Sequence, residues 1–181
     1  MPTFELDRLH LGAISDPTNT TDPAIWVPSS AYLTNDRWPS GIWVFGALAP
    51  TTQPTVRITI FLPWFRVPDN YSAASTDPSI VIYHSSTITS GNRVWDVDYR
   101  AVGGDDAESL DQTGQTEPLS ITDAAPTAAH NLLETSVAMA RAGIAAGDII
   151  QASVSLDGVD AADTIQGLSY IANVAFRYTG T

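Results

Sequence analysis

Between Arg93 and Val102 apolar and polar positions alternate, with Trp95, Val97, Tyr99 and Ala101 on one side and Asp96, Asp98 and Arg100 on the other. A period of two predicts a β-strand with one buried and one wet face. Turn residues bracket it, Ser90-Gly91-Asn92 before and Gly103-Gly104-Asp105-Asp106 after, so the chain reverses at both ends. The same alternation recurs in Val56, Ile58 and Ile60, in Ile80, Ile82 and His84, in Leu133, Thr135, Val137 and Met139, and in Ile150, Ala152, Val154 and Leu156. It is longest at the end of the chain, where Leu168, Tyr170, Ala172, Val174, Phe176 and Tyr178 read as one face. A shorter alternation covers Leu119–Asp123, and Gly41–Leu48 is apolar on both faces, as in a strand covered on two sides or at a subunit contact. The segment 124–146 is Ala-rich, but Thr and Val at every second position favour strand over helix there.

About eight such strands with turns between them predict an all-β fold, a two-sheet antiparallel sandwich of jelly-roll type. Trp95, Val97, Tyr99, Val154, Val174 and Phe176 are the expected core, because an aromatic-lined sheet face needs a second layer to cover it. Residues 1–22 read as an extended N-terminal arm and linker, and 23–181 as the sandwich domain. In the arm Phe4, Leu6, Leu9 and Leu11 follow no clean period, and Asp16-Pro17-Thr18-Asn19-Thr20-Thr21-Asp22-Pro23 is tether chemistry. An apolar arm on a polar tether docks, either on its own domain or on a neighbour, so these four residues are candidate interaction residues. His10, alone within the arm, reads as a surface residue.

Composition narrows the function more than the fold. The chain has 181 residues, no Cys, and a formal net charge of −12, and all eight of its basic residues are Arg. The missing Cys excludes thiol catalysis and Cys-ligated metals. With no basic patch to release counterions, a nucleic-acid partner is not expected. No apolar run approaches the ~20 residues needed to span a bilayer, and Glu5, Asp7 and Arg8 stand where a secretory signal would be apolar. The absence of lysine reads as genome or habitat bias rather than as selection against surface modification.

Candidate chemistry is thin. Asp105, Asp106, Glu108 and Asp111 form one acidic loop and Asp157, Asp160 and Asp163 a second, but neither follows the spacing of an EF-hand loop. Both read as solvated loops, with no cofactor and no metal. His84 shares a face with two isoleucines and has no second ligand at metal spacing, so its reading is structural. No nucleophile lies beside a base and no Gly-rich phosphate loop is present; an enzyme would require the acidic loops to converge around a carboxylate of raised pKa. Trp38, Trp64 and Tyr71 are loop aromatics, which either plug the end of a sandwich or stack on sugars.

From about Val56 to Tyr178 the chain resembles a jelly-roll domain recurrent in structural proteins of tailed bacteriophages, both head decoration proteins and tail-fibre domains. The likeness is carried by Phe65-Arg66-Val67-Pro68-Asp69-Asn70, by Ser90-Gly91-Asn92-Arg93-Val94-Trp95-Asp96-Val97 with Tyr99-Arg100-Ala101, by Ala145-Ala146-Gly147-Asp148, by Asp160-Ala161-Ala162-Asp163-Thr164, and by Val174-Ala175-Phe176-Arg177-Tyr178. The resemblance implies a non-catalytic homo-oligomer, expected as a trimer, on the particle exterior, with capsid or other virion proteins as partners. The first ~55 residues fall outside the likeness. Because the chain reads as short and complete, without shaft repeats or heptads, the expected role is that of a decoration or cement protein. The alternatives are a tail-fibre, receptor-binding or carbohydrate-binding module, and a capsid shell protein.

Overall fold

The structure is a computed structural model that describes residues 1–33, 41–46, 54–74, 76–104 and 117–181. Among the described residues twelve strands follow one another in the order β1 (Thr3–Leu6), β2 (Ile14–Ser15), β3 (Ile25–Pro28), β4 (Gly41–Phe45), β5 (Arg57–Phe61), β6 (Phe65–Arg66), β7 (Ser79–Ser86), β8 (Asn92–Val102), β9 (Glu117–Ala124), β10 (Leu133–Ala138), β11 (Ile149–Asp157) and β12 (Ser169–Thr179). They form two antiparallel sheets, one running β10-β7-β12-β4-β3 and the other β2-β5-β11-β8-β9. If the eight longer strands from β4 to β12 are lettered B to I, leaving out the two-residue β6, the sheets read G-D-I-B and C-H-E-F. That is the double Greek key of a jelly roll. The 124–146 segment holds β10 and a single 3₁₀ turn at Arg141–Gly143.

The core lies between the sheets. Trp95, Val97, Tyr99, Val154, Val174 and Phe176 are all buried in one cluster with Phe45, Ile58, Ile60, Ile80 and Ile82. Phe45 meets the Trp95 ring edge-on at 5.5 Å, a favoured arrangement of ring quadrupoles. β4 is covered on both faces, because Ile42 and Val44 form a second cluster with Leu168 and Tyr170 on the far side of its sheet.

That second cluster corrects the reading of β12 as one continuous apolar face. Its register against β7 slips between Ile171 and Asn173. Ile171 shares the main core with Val174 and Phe176, whereas Leu168 and Tyr170 face the other way. A bulge inserts one residue and exchanges the faces beyond it, which a count by twos cannot register.

The arm is also part of the sandwich. β1 pairs with β12 from Thr3↔Thr179 to Leu6↔Phe176, beside the half of β12 that β4 leaves unpaired. β2 then pairs with β5, Ile14 opposite Phe61. Between them a one-turn 3₁₀ helix, Leu9–Gly12, crosses from the first sheet to the second. Leu9 drops into the main core, and the Trp43 indole N–H donates to the His10 carbonyl at 3.1 Å. Glu5 adds an ion pair to Arg177 at 2.6 Å, and Phe4 stacks on Tyr178.

Candidate functional site

Three polar groupings test for chemistry. On the outer face of the second sheet, Arg57 reaches Asp98 at 2.6 Å and Asp96 at 3.2 Å. The expected wet face of β8 is therefore wrong in one respect: Asp96 and Asp98 point away from the core yet both are buried, because one guanidinium from β5 lies over the two carboxylates. Burial pushes the Asp96 carboxyl up; the Ser120 hydroxyl and Arg57 pull it back, and Asp157 adds to the rise.

The second grouping lies within the second acidic loop, where Asp163 is not solvated. It forms a fully buried ion pair with Arg93 at 2.8 Å. Arg93 also donates to Ser169 Oγ, Ile165 O and Gly167 O, and Asp163 accepts the Val94 N–H. The donors and acceptors named are all matched, so the pair fastens the β11–β12 loop.

The third grouping joins the sheets. His84 on β7 places Nε2 at 3.0 Å from Asp123 Oδ2 on β9 and 2.9 Å from Thr135 Oγ1 on β10, and the Thr135 hydroxyl donates to the same carboxylate. Both contacts use Nε2, so no base stands between a nucleophile and an acid. Burial pushes the imidazole pKa down and Asp123 opposes it. Among the described residues no group of three His, Asp or Glu side chains could hold a metal ion, and the loop 105–111 lies outside the described residues.

The arm-sealed side differs from all three in being apolar and exposed. Leu11 is 57% exposed, Ile14 62% and Trp64 61%. Ile14 stands opposite Phe61, Trp64 follows three residues later, and a Cβ built on Gly12 would lie 3.1 Å from the Pro63 ring. Trp26, on the edge strand of the first sheet, is also exposed. Its indole lies over Gly41, where a Cβ would come within 1.8 Å of the ring, and it meets the rings of His10 and Trp43. Large apolar side chains grouped this way mark contact surfaces.

The candidate interaction residues therefore divide. Leu11 and Trp64 lie on this face, and Phe4 is exposed but stacked on Tyr178. Leu9 is core and Leu6 packs against it, because the chain must close the gap between the sheets at that point. Trp38 lies outside the described residues. Tyr71 is buried, not a free loop aromatic; it bridges to Gly180 at the end of β12. His10 is likewise buried rather than on the surface, under Trp26 and Trp43. Its pKa is pushed down by burial, while Asn173 and Asp7 oppose the shift and Arg8 adds to it.

Sequence reasoning missed Ile14 and Trp26, both exposed, and the hydrogen bonds that hold the two ends of the crossing. Asp7, next to Arg8, accepts the Asn173 amide of β12, and the Asp16 N–H donates to Thr59 O of β5 at 3.0 Å. The available signal was local: an apolar stretch, Leu9 to Ile14, bracketed by opposite charges.

No family model matches the chain, and no curated protein matches it. Among solved structures it is similar to a family 11 carbohydrate-binding module from Clostridium thermocellum in complex with a β-1,3-1,4-mixed-linked tetrasaccharide, at 11% identity and a TM-score of 0.39, over 96% of this chain and 87% of that one. At that similarity the likeness carries no argument about function, and the fold assignment rests on the strand order.

Proposed function

We propose that this chain works by surface contact rather than by catalysis, as a structural protein of a tailed-phage particle that decorates or cements the head. The observation that carries the reading is the exposed apolar face of Leu11, Ile14, Trp26 and Trp64 on the arm-sealed side. The residues resembling the phage domain support the virion setting. Several of them have structural work in this fold: Arg93 and Asp163 fasten a loop, and Trp95 and Phe176 fill the core.

The test uses point variants, because removing residues 1–22 would take one strand from each sheet and Leu9 from the core. Purified chain is mixed with particles lacking it, and co-sedimentation is measured for Leu11→Asp and Trp64→Ser. Loss of binding with unchanged thermal melts is the expected result. Variants that bind as well as the parent chain would refute the role of this face.

One observation favours a second reading, a carbohydrate-binding module: the Trp64 ring is open to solvent and its face can stack on a sugar. A glycan array decides it. Signal on the array that Trp64→Ala removes, without binding to particles, replaces the first reading.

A further inference from the structure

We propose that the arm is an acid-sensitive latch: residues 1–15 lift from both sheets as one unit, and they do so more often once the buried His10 side chain takes up a proton. The opening itself needs no partner; only its consequence for the exposed apolar face rests on the reading of that face as a protein contact.

The seat of His10 is poorly matched. The residue is 6% exposed, yet its Nδ1 makes no hydrogen bond, and Asn173 Oδ1 on β12 is also buried without a partner. Unmatched polar atoms are rare in interiors and weaken the packing around them. Asn173 stands where the register of β12 shifts, and its amide N–H donates to Asp7. The neutral ring is held instead by contact with Trp26 at 5.7 Å and by Trp43 donating to the His10 carbonyl.

A second proton makes the seat worse, because it adds a charge to a ring that burial already penalises. The charged groups acting on the ring are Asp7, which favours the imidazolium, and Arg8, which opposes it. Asp7 already accepts the Asn173 amide and the Arg8 N–H. The other neighbours, Asn173 on β12, Trp26 on β3 and Trp43 on β4, are neutral. In the open arm the ring is in water and protonates at the ordinary histidine value, about 6.5. The closed arm is therefore fully favoured above that value, and opening gains by up to about tenfold for each pH unit below it.

The tether sets the extent of the unit. The Asn19 side chain donates to Asp22 O at 3.0 Å and Arg57 O at 3.2 Å, and accepts the Thr21 and Asp22 N–H groups. Upstream of this knot β2 pairs over two residues and β1 over four, short ladders of the kind that open before the whole domain unfolds. Opening carries Leu11 and Ile14 away from Trp26 and Trp64 and takes the exposed face apart.

The test is native-state hydrogen exchange on the whole chain at about pH 7.5 and 5.5, each rate divided by the intrinsic rate at that pH. Corrected rates for β1 and β2 should rise severalfold at the lower pH, up to about tenfold. They should lead those of β8 and β11 at both pH values, and the effect should end at Asn19. His10→Gln should abolish the rise and His84→Gln should leave it. Unchanged rates, arm amides that exchange in step with β8 and β11, or a rise that survives His10→Gln overturn the proposal. If His10→Gln fails to fold, the ring resonances of the parent chain decide: a His10 titrating at about 6.5 or above overturns the latch, and one titrating lower supports it. A chain whose arm opens in this way but which never binds particles sinks the virion reading alone, whereas one that binds particles with an arm indifferent to pH sinks the latch alone.

Discussion

On one side of the sandwich Leu9 reaches between the sheets, Trp43 bonds the His10 carbonyl, and the outer surface is left to Leu11, Ile14 and Trp64. On the other, His84, Thr135 and Asp123 bond across the sheets, and the ring of His84 stands edge-on to Trp95 at 5.2 Å. The first closure is made by apolar burial, the second by polar bonds to a buried imidazole. The difference teaches that closing a jelly roll and offering a contact surface are separable tasks. Both sides are sealed, and among the described residues the arm side is the one that groups several exposed apolar side chains.

The comparison breaks most severely at Leu9. Leu9→Ala should cost about 2–5 kcal/mol, the range for a buried leucine, read as a lowered urea midpoint. A near-neutral result would mean that the arm rests on the sandwich without sealing it. The polar side should respond to acid. Because burial holds the His84 pKa below its usual value, the folded state binds fewer protons than the unfolded one. Stability should be intact above about pH 6.5, the ordinary histidine value, and fall as pH drops below it. His10 is shifted the same way, so melts from pH 8 to 5 on the parent, His84→Gln and His10→Gln divide the acid sensitivity between the two sides. A parent chain whose melting temperature does not move over that range would contradict both shifts. The smallest effect is expected at Leu132, 61% exposed next to β10. Leu132→Ser should stay within about 0.5 kcal/mol, read as an almost unmoved urea midpoint.

The strands were legible wherever a single period ran unbroken, as in β8 and β11, since side-chain alternation follows from strand geometry alone. The pairing into two sheets followed from strand number and turns. Three features escaped for physical reasons. The bulge in β12 changes the count by one without any special residue. The burial of Asp96 and Asp98 depends on Arg57, far away in sequence and brought close only by the β5–β11–β8 order. The arm has no period because it is two short strands and one 3₁₀ turn, each with its own geometry. For the same reason the candidate site was legible only in part: Leu11 stood out as an apolar residue of the arm and Trp64 as a loop aromatic, while Ile14 and Trp26 gained meaning once β2 and β3 were placed on sheet edges.

The Arg93 clamp has a practical side for anyone remodelling this molecule. Judged by composition, the acidic stretch between β11 and β12 invites a grafted peptide, but its two halves differ. Positions 159–161 are open to solvent and lie upstream of the guanidinium's acceptors. From Asp163 to Gly167 the chain supplies three of those acceptors, so lengthening it there would strand a cation in the interior. Foreign sequence belongs in the first half of the loop, and the second half is best left at its native length.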